Sequence, residues 1–155
     1  DPLFRASAEV VMMAQVGEDI ASPQIRVLLE RQLPNRFKES TMSALAERCA
    51  SSWAQGGYLS SETRKRRQRA TPDHIAAAYA AFLGLAAGFG GASILTSPWL
   101  NLLDVEVEMR LSLLRQAEAD NLVRIHSAGH VFDIELRGNL AIIAQGGDER
   151  SGTLI

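Results

Sequence analysis

The chain has 155 residues, 46% of them hydrophobic and 22% charged, with a formal net charge of −2. That composition can bury a sizeable interior, enough for one compact domain or two small ones, and excludes a chain disordered throughout. The charge is unevenly spread, because residues 101–155 carry 5 basic and 9 acidic groups while residues 64–69 hold five cations. The single cysteine, Cys49, cannot form an internal disulfide, which suits a reducing, cytoplasmic compartment. No signal peptide is visible, although a start at Asp1 rather than methionine leaves a trimmed leader open.

In chain order, Leu3, Phe4, Val10, Val11, Met13 and Val16 predict a helix that stops near Gly17. Ser22 followed by Pro23 reads as an N-cap with proline at the first helical position, opening a second helix that must end at Pro34. A third begins around residues 35–40 and runs to Gln55, with Phe37, Met42, Leu45, Cys49 and Trp53 at helical spacing and Gly56-Gly57 as its stop. Thr71-Pro72-Asp73 supplies N-cap, proline and first-turn acid for an Ala-rich helix through about Phe89, closed by Gly90-Gly91. Residues 75–89 are uncharged, but at 1.5 Å per residue they span only ~22 Å, short of a bilayer's roughly 30 Å core. They read as a buried helix, and no membrane partner is expected.

Ser97-Pro98 starts a short turn of helix, and Asp104 caps a longer one over 105–119, whose core positions include Val107, Leu111 and Leu114. Asn121 is its expected left-handed stop. The period then changes to two. Val123, Ile125, Phe132, Ile134 and Leu136 collect on one face and Arg124, His126, Asp133 and Glu135 on the other, which predicts a hairpin turning at Ser127-Ala128-Gly129. The expected fold class is mainly α: a helical bundle over residues 1–92, which includes the basic segment 63–69, and a winged-helix-like helix plus β-hairpin over 93–140. Residues 145–155 read as a loose tail.

Arg64, Lys65, Arg66, Arg67 and Arg69 are suited to neutralising phosphates without reading base sequence. Tyr58, just before them, could stack on a base, and Arg124 and His126 on the hairpin could add phosphate contacts. The alternative is a solvated link, or a run neutralised by Glu47, Glu62 and Asp73 or by the acidic C-terminal third. A winged helix commonly presents the helix before its hairpin to DNA. Here that helix region carries Glu106, Glu108, Glu118 and Asp120 against Arg110, Arg115 and Gln116, which disfavours such docking. His126 and His130 lack a third ligand, so no metal is expected. Gly84, Gly88, Gly90 and Gly91 do not follow a strand, and neither Cys49 nor any serine has a nucleophile's sequence context. No catalysis and no cofactor are expected.

Trp53-Ala-Gln-Gly-Gly-Tyr-Leu59 leading into Arg64-Lys-Arg-Arg67, the Ala-rich helix and Ser97-Pro-Trp-Leu-Asn-Leu-Leu103 together resemble the BrxA family of bacterial BREX anti-phage systems. Asn121-Leu-Val-Arg-Ile and Gly129-His-Val-Phe-Asp-Ile134 extend the likeness, which covers roughly residues 40–137. The resemblance implies a NusB-like helical bundle joined to a winged-helix-like end. It also implies non-catalytic nucleic-acid binding, to DNA with RNA a further option, in company with other defence proteins. The competing expectation from the residues is a protein-interaction adaptor that never touches nucleic acid.

Overall fold

The computed structural model describes residues 2–129 and 131–141, and over them the chain is mainly helical with one two-stranded antiparallel hairpin. It divides into two compact units, Asp1–Ala70 and Thr71–Ile155. The sequence reading put the boundary near residue 92. The Ala-rich helix instead packs on the helix that precedes the hairpin, so it belongs with the second unit.

The first unit contains α1 (Pro2–Met13), α2 (Ser22–Gln32) and α3 (Glu39–Gln55), with α2 packed on both of the others. α1 stops short of Val16, and Met13 and Val16 are exposed, while Ser7 and Val11 face inward. The N-cap of α2 is Ala21 rather than Ser22, and Gln24 Oε1 accepts the Ala21 N–H at 2.8 Å. α3 starts at Glu39, later than the apolar pattern suggests, and Phe37 lies outside it, 38% exposed. Its inward face is Met42, Ala46, Cys49, Ala50 and Trp53. Trp53 stacks on Phe4 with ring centres 4.6 Å apart, and its indole N–H donates to Ser7 Oγ at 2.8 Å, so this buried polar atom is satisfied.

The second unit contains α4 (His74–Ala86), a 3-10 turn (Gly91–Thr96), α5 (Pro98–Asn101), α6 (Val107–Ala119), β1 (Val123–Ala128) and β2 (Val131–Leu136). Asp73, not Thr71, caps α4, its carboxylate accepting the Ala76 N–H at 2.7 Å. Gly88 at φ +90° ends α4, two residues before the expected glycine pair: Gly88 N–H donates to Leu85 O at 2.9 Å and Phe89 N–H to Gly84 O at 3.0 Å. α3 ends in the same way at Gly57 (φ +82°) and α6 at Asn121 (φ +57°), each with the paired reverse bonds of a Schellman motif. α6 begins later than predicted, with Glu106 as its N-cap, because Asp104 takes a left-handed conformation at φ +60°.

Ala77, Ala78, Ala81, Ile94, Leu100, Leu103, Leu114, Ala117, Val123 and Ile134 form the core of this unit. The pairing Val123 with Leu136, Ile125 with Ile134 and Ser127 with Phe132 turns the predicted apolar face inward. Ser127 and Ala128 are therefore strand residues rather than part of the turn. Val107 is 36% exposed and does not join the core. Among the described residues no single helix is long and apolar enough to cross a membrane. The expected tail at 145–155 lies outside the described residues.

Candidate nucleic-acid interface

The basic run lies in the first unit as an extended segment held on both flanks. On one side Arg67 N–H donates to Glu18 O at 2.8 Å, while Gly17 N–H donates to Arg67 O at 2.7 Å and Ile20 N–H to Lys65 O at 2.8 Å. On the other, Ser60 N–H donates to Arg66 O at 2.8 Å and Gln68 N–H to Tyr58 O at 3.0 Å, and Ser60 Oγ accepts the Arg66 N–H at 3.0 Å. The Schellman turn at Gly57 delivers residues 58–60 to that position as α3 ends. The run is a fixed miniature strand rather than a loose strap, and the backbone groups of Arg66, Arg67 and Gln68 are bonded within the chain. A ligand meets its side chains.

Extended backbone sends alternate side chains to opposite faces. Arg64 and Arg66 share one face and converge on Asp19, whose carboxylate pairs with the Arg64 guanidinium and lies 3.3 Å from Arg66 Nε. All three side chains reach solvent, at 73%, 57% and 37% relative exposure respectively for Arg64, Arg66 and Asp19. Among the described residues the counter-ion of Arg64 and Arg66 is thus Asp19, remote in sequence, rather than Glu47, Glu62 or Asp73. Lys65 Nζ donates to Ser61 O at 3.4 Å, and Arg69 is exposed.

Arg67 departs from expectation. It is 3% exposed, and its guanidinium donates to the carbonyls of Gln68 and Tyr58 and lies 5.8 Å from the centre of the Tyr58 ring. Tyr58 in turn meets Trp53 edge-on at 5.0 Å. The column Phe4, Trp53, Tyr58, Arg67 is internal packing, so Arg67 is withdrawn from the surface and Tyr58, half-buried, is no open stacking platform. The odd position of an otherwise exposed strand carries the buried charge.

Arg124 and His126 belong to the other unit, on the outward face of the hairpin. There Arg124 stands opposite Glu135 and His126 opposite Asp133, and His126 Nε2 lies 3.4 Å from Glu135 Oε2, which also accepts from Arg137 at 3.0 Å. This face mixes both signs of charge. The second residue of the H-x-x-x-H pair, His130, lies outside the described residues. Among the described residues no group of three His, Cys, Asp or Glu side chains is placed to hold a metal ion.

α6 is still less suited to a phosphate backbone than its composition suggests. Arg110, its first arginine, donates to Val105 O at 2.9 Å, Leu95 O at 2.8 Å and Asn101 Oδ1 at 2.5 Å, tying the helix start to the 3-10 turn and α5. Glu118 accepts the Ile125 N–H at 2.8 Å and fastens α6 to β1, while Asp120 meets His74 Nε2 at 2.6 Å. The sequence reading missed Asp19, Arg110 and Glu118 in these roles. The Glu18-Asp19 pair just after Gly17, in the turn that follows α1, was the available signal for the first. Comparison with family models, curated proteins and solved structures gives no match.

Proposed function

We propose that this protein is a non-catalytic, phosphate-backbone-binding nucleic-acid protein, with duplex DNA as its ligand and Arg64, Arg66 and Arg69 as its principal contacts. The observation that supports the reading most strongly is the clamped basic strand, which presents exposed guanidinium groups in a fixed order on an otherwise acidic protein. Guanidinium forks match phosphate oxygens, and pre-ordering the strand lowers the entropy cost of using several at once. Lys65 adds a shorter-range cation, whereas Arg67 and Tyr58 hold the strand in place. Contacts from Arg124 and His126 would have to compete with Asp133 and Glu135 on the same face.

The likeness to the BrxA family extends this reading to an accessory role beside other phage-defence proteins in the bacterial cytoplasm. A gel-shift assay at low salt tests the binding: the intact protein retards duplex DNA, and R64A/R66A/R69A abolishes the shift. No shift by the intact protein overturns the reading, and preferential competition by RNA reassigns the ligand to RNA. The adaptor reading draws on a different observation. On α4, Ile75 is 59% exposed and Tyr79 53%, with Tyr79 stacked on Phe82 at 5.8 Å, and neither belongs to the core. Partner capture that survives R64A/R66A/R69A and is lost in I75S/Y79S favours the adaptor.

A further inference from the structure

The cleft beside the basic strand, about 350 Å³ and lined by Asp19, Ser22, Thr63, Arg64 and Lys65, contains its own anion. We infer that Asp19 is an internal counter-ion that must be displaced from Arg64 and Arg66 before phosphate binds, so that the site accepts a run of linked phosphates and rejects isolated ones. The inference rests on the nucleic-acid reading. A lone phosphate entering the cleft meets the Asp19 carboxylate as well as the cations, and it exchanges one anion for another around the same two guanidinium groups. A continuous phosphate backbone makes the same exchange and also reaches Lys65, which Asp19 does not hold, with release of condensed counterions as a further gain. The carboxylate is free to leave. Asp19 is partly exposed, and its pairing with Arg66 in the miniature strand is made by backbone bonds that survive loss of the side-chain charge.

The test compares wild type, D19N and E30Q by fluorescence anisotropy on a short labelled duplex, with inorganic phosphate and a mononucleotide as competitors. Glu30 pairs with Arg26 at 3.7 Å on α2, so E30Q makes the same net-charge change away from the cleft. At about 150 mM salt, D19N tightens duplex binding on the order of three- to tenfold, as removal of a partly exposed ion-pair partner allows, and makes inorganic phosphate an effective competitor. E30Q does neither. D19S serves as a second variant, and circular dichroism confirms that each protein is folded. Binding by the wild type, with neither Asp19 variant tighter than E30Q, overturns this inference alone. Absence of duplex binding by the wild type and both Asp19 variants overturns the function reading with it.

Discussion

Arg64 and Arg67 are three residues apart in one basic run, yet their surroundings give opposite expectations for substitution. Arg64 is largely in solvent and its ion pair with Asp19 is screened, so R64A costs less than about 1 kcal/mol. Arg67 is buried against the Tyr58 ring with two carbonyl acceptors, so R67A takes the donor from the Gln68 carbonyl and empties packed volume, at about 2–4 kcal/mol. Urea unfolding of the two variants measures the contrast, and equal losses would contradict it. Composition alone made the five cations look equivalent. The alternation of exposed and buried side chains became legible once the run proved to be extended, and nothing in a sequence of arginines marks which one turns inward.

Cys49 gives a second residue-scale expectation. Burial pushes its thiol above the ordinary value of 9.0, with a hydrogen bond to Ser7 acting in the opposite direction as the smaller influence. The folded thiol therefore keeps its proton where the unfolded one loses it. It follows that the unfolded chain binds fewer protons above about pH 9, and the stability contributed at this site falls as pH rises through that range. Reaction with a thiol-directed reagent is slow near neutral pH and becomes fast on addition of denaturant. Rapid stoichiometric labelling of the native protein at neutral pH is the contrary result.

At the scale of elements, Gly84 shows why the Ala-rich helix carries glycine where alanine would favour the helix. A Cβ there would stand 2.5 Å from Ile94 Cδ1 and 3.3 Å from Ser97 Oγ, so α4 meets the 3-10 turn too closely for a side chain. Alanine gains about 1 kcal/mol in helix propensity and loses roughly 1–3 kcal/mol to overpacking. G84A therefore destabilises by up to about 2 kcal/mol, and adding I94V, which removes the clashing methyl, recovers part of the loss. A G84A protein as stable as wild type contradicts this packing. The existence and order of the helices were readable from period and punctuation, as was the hairpin with its apolar face against α6. Their ends were less so, because several residues could serve as caps. Thr71 and Asp73 both precede α4, and the side chain that reaches an N–H is decided by backbone geometry.

At the scale of the whole molecule, the chain carries a net charge of −2 and still presents exposed arginines from one short strand. Local field, not net charge, governs encounter with a polyanion within a Debye length of roughly 8–10 Å. The position of that strand was legible as a charge run before the second unit. Its rigidity was not, since its flanking partners come from loops at residues 17–20 and 58–60, and Asp19 lies 47 positions from Arg66. Long-range pairing of this kind leaves no periodic trace. The expected recognition helix is the reverse case: its acidity was visible in composition, and the structure adds that Arg110 and Glu118 are committed to internal bonds.

The salt dependence of duplex DNA binding by the intact protein tests the central claim most directly. With three or four phosphates neutralised by Arg64, Lys65, Arg66 and Arg69, log K against log salt should fall with a slope of about −3, and R64A/R66A/R69A should flatten it toward zero while the fold persists. Binding of undiminished strength and slope in that variant, or no binding by the wild type at low salt, contradicts the assignment of this strand as the nucleic-acid surface.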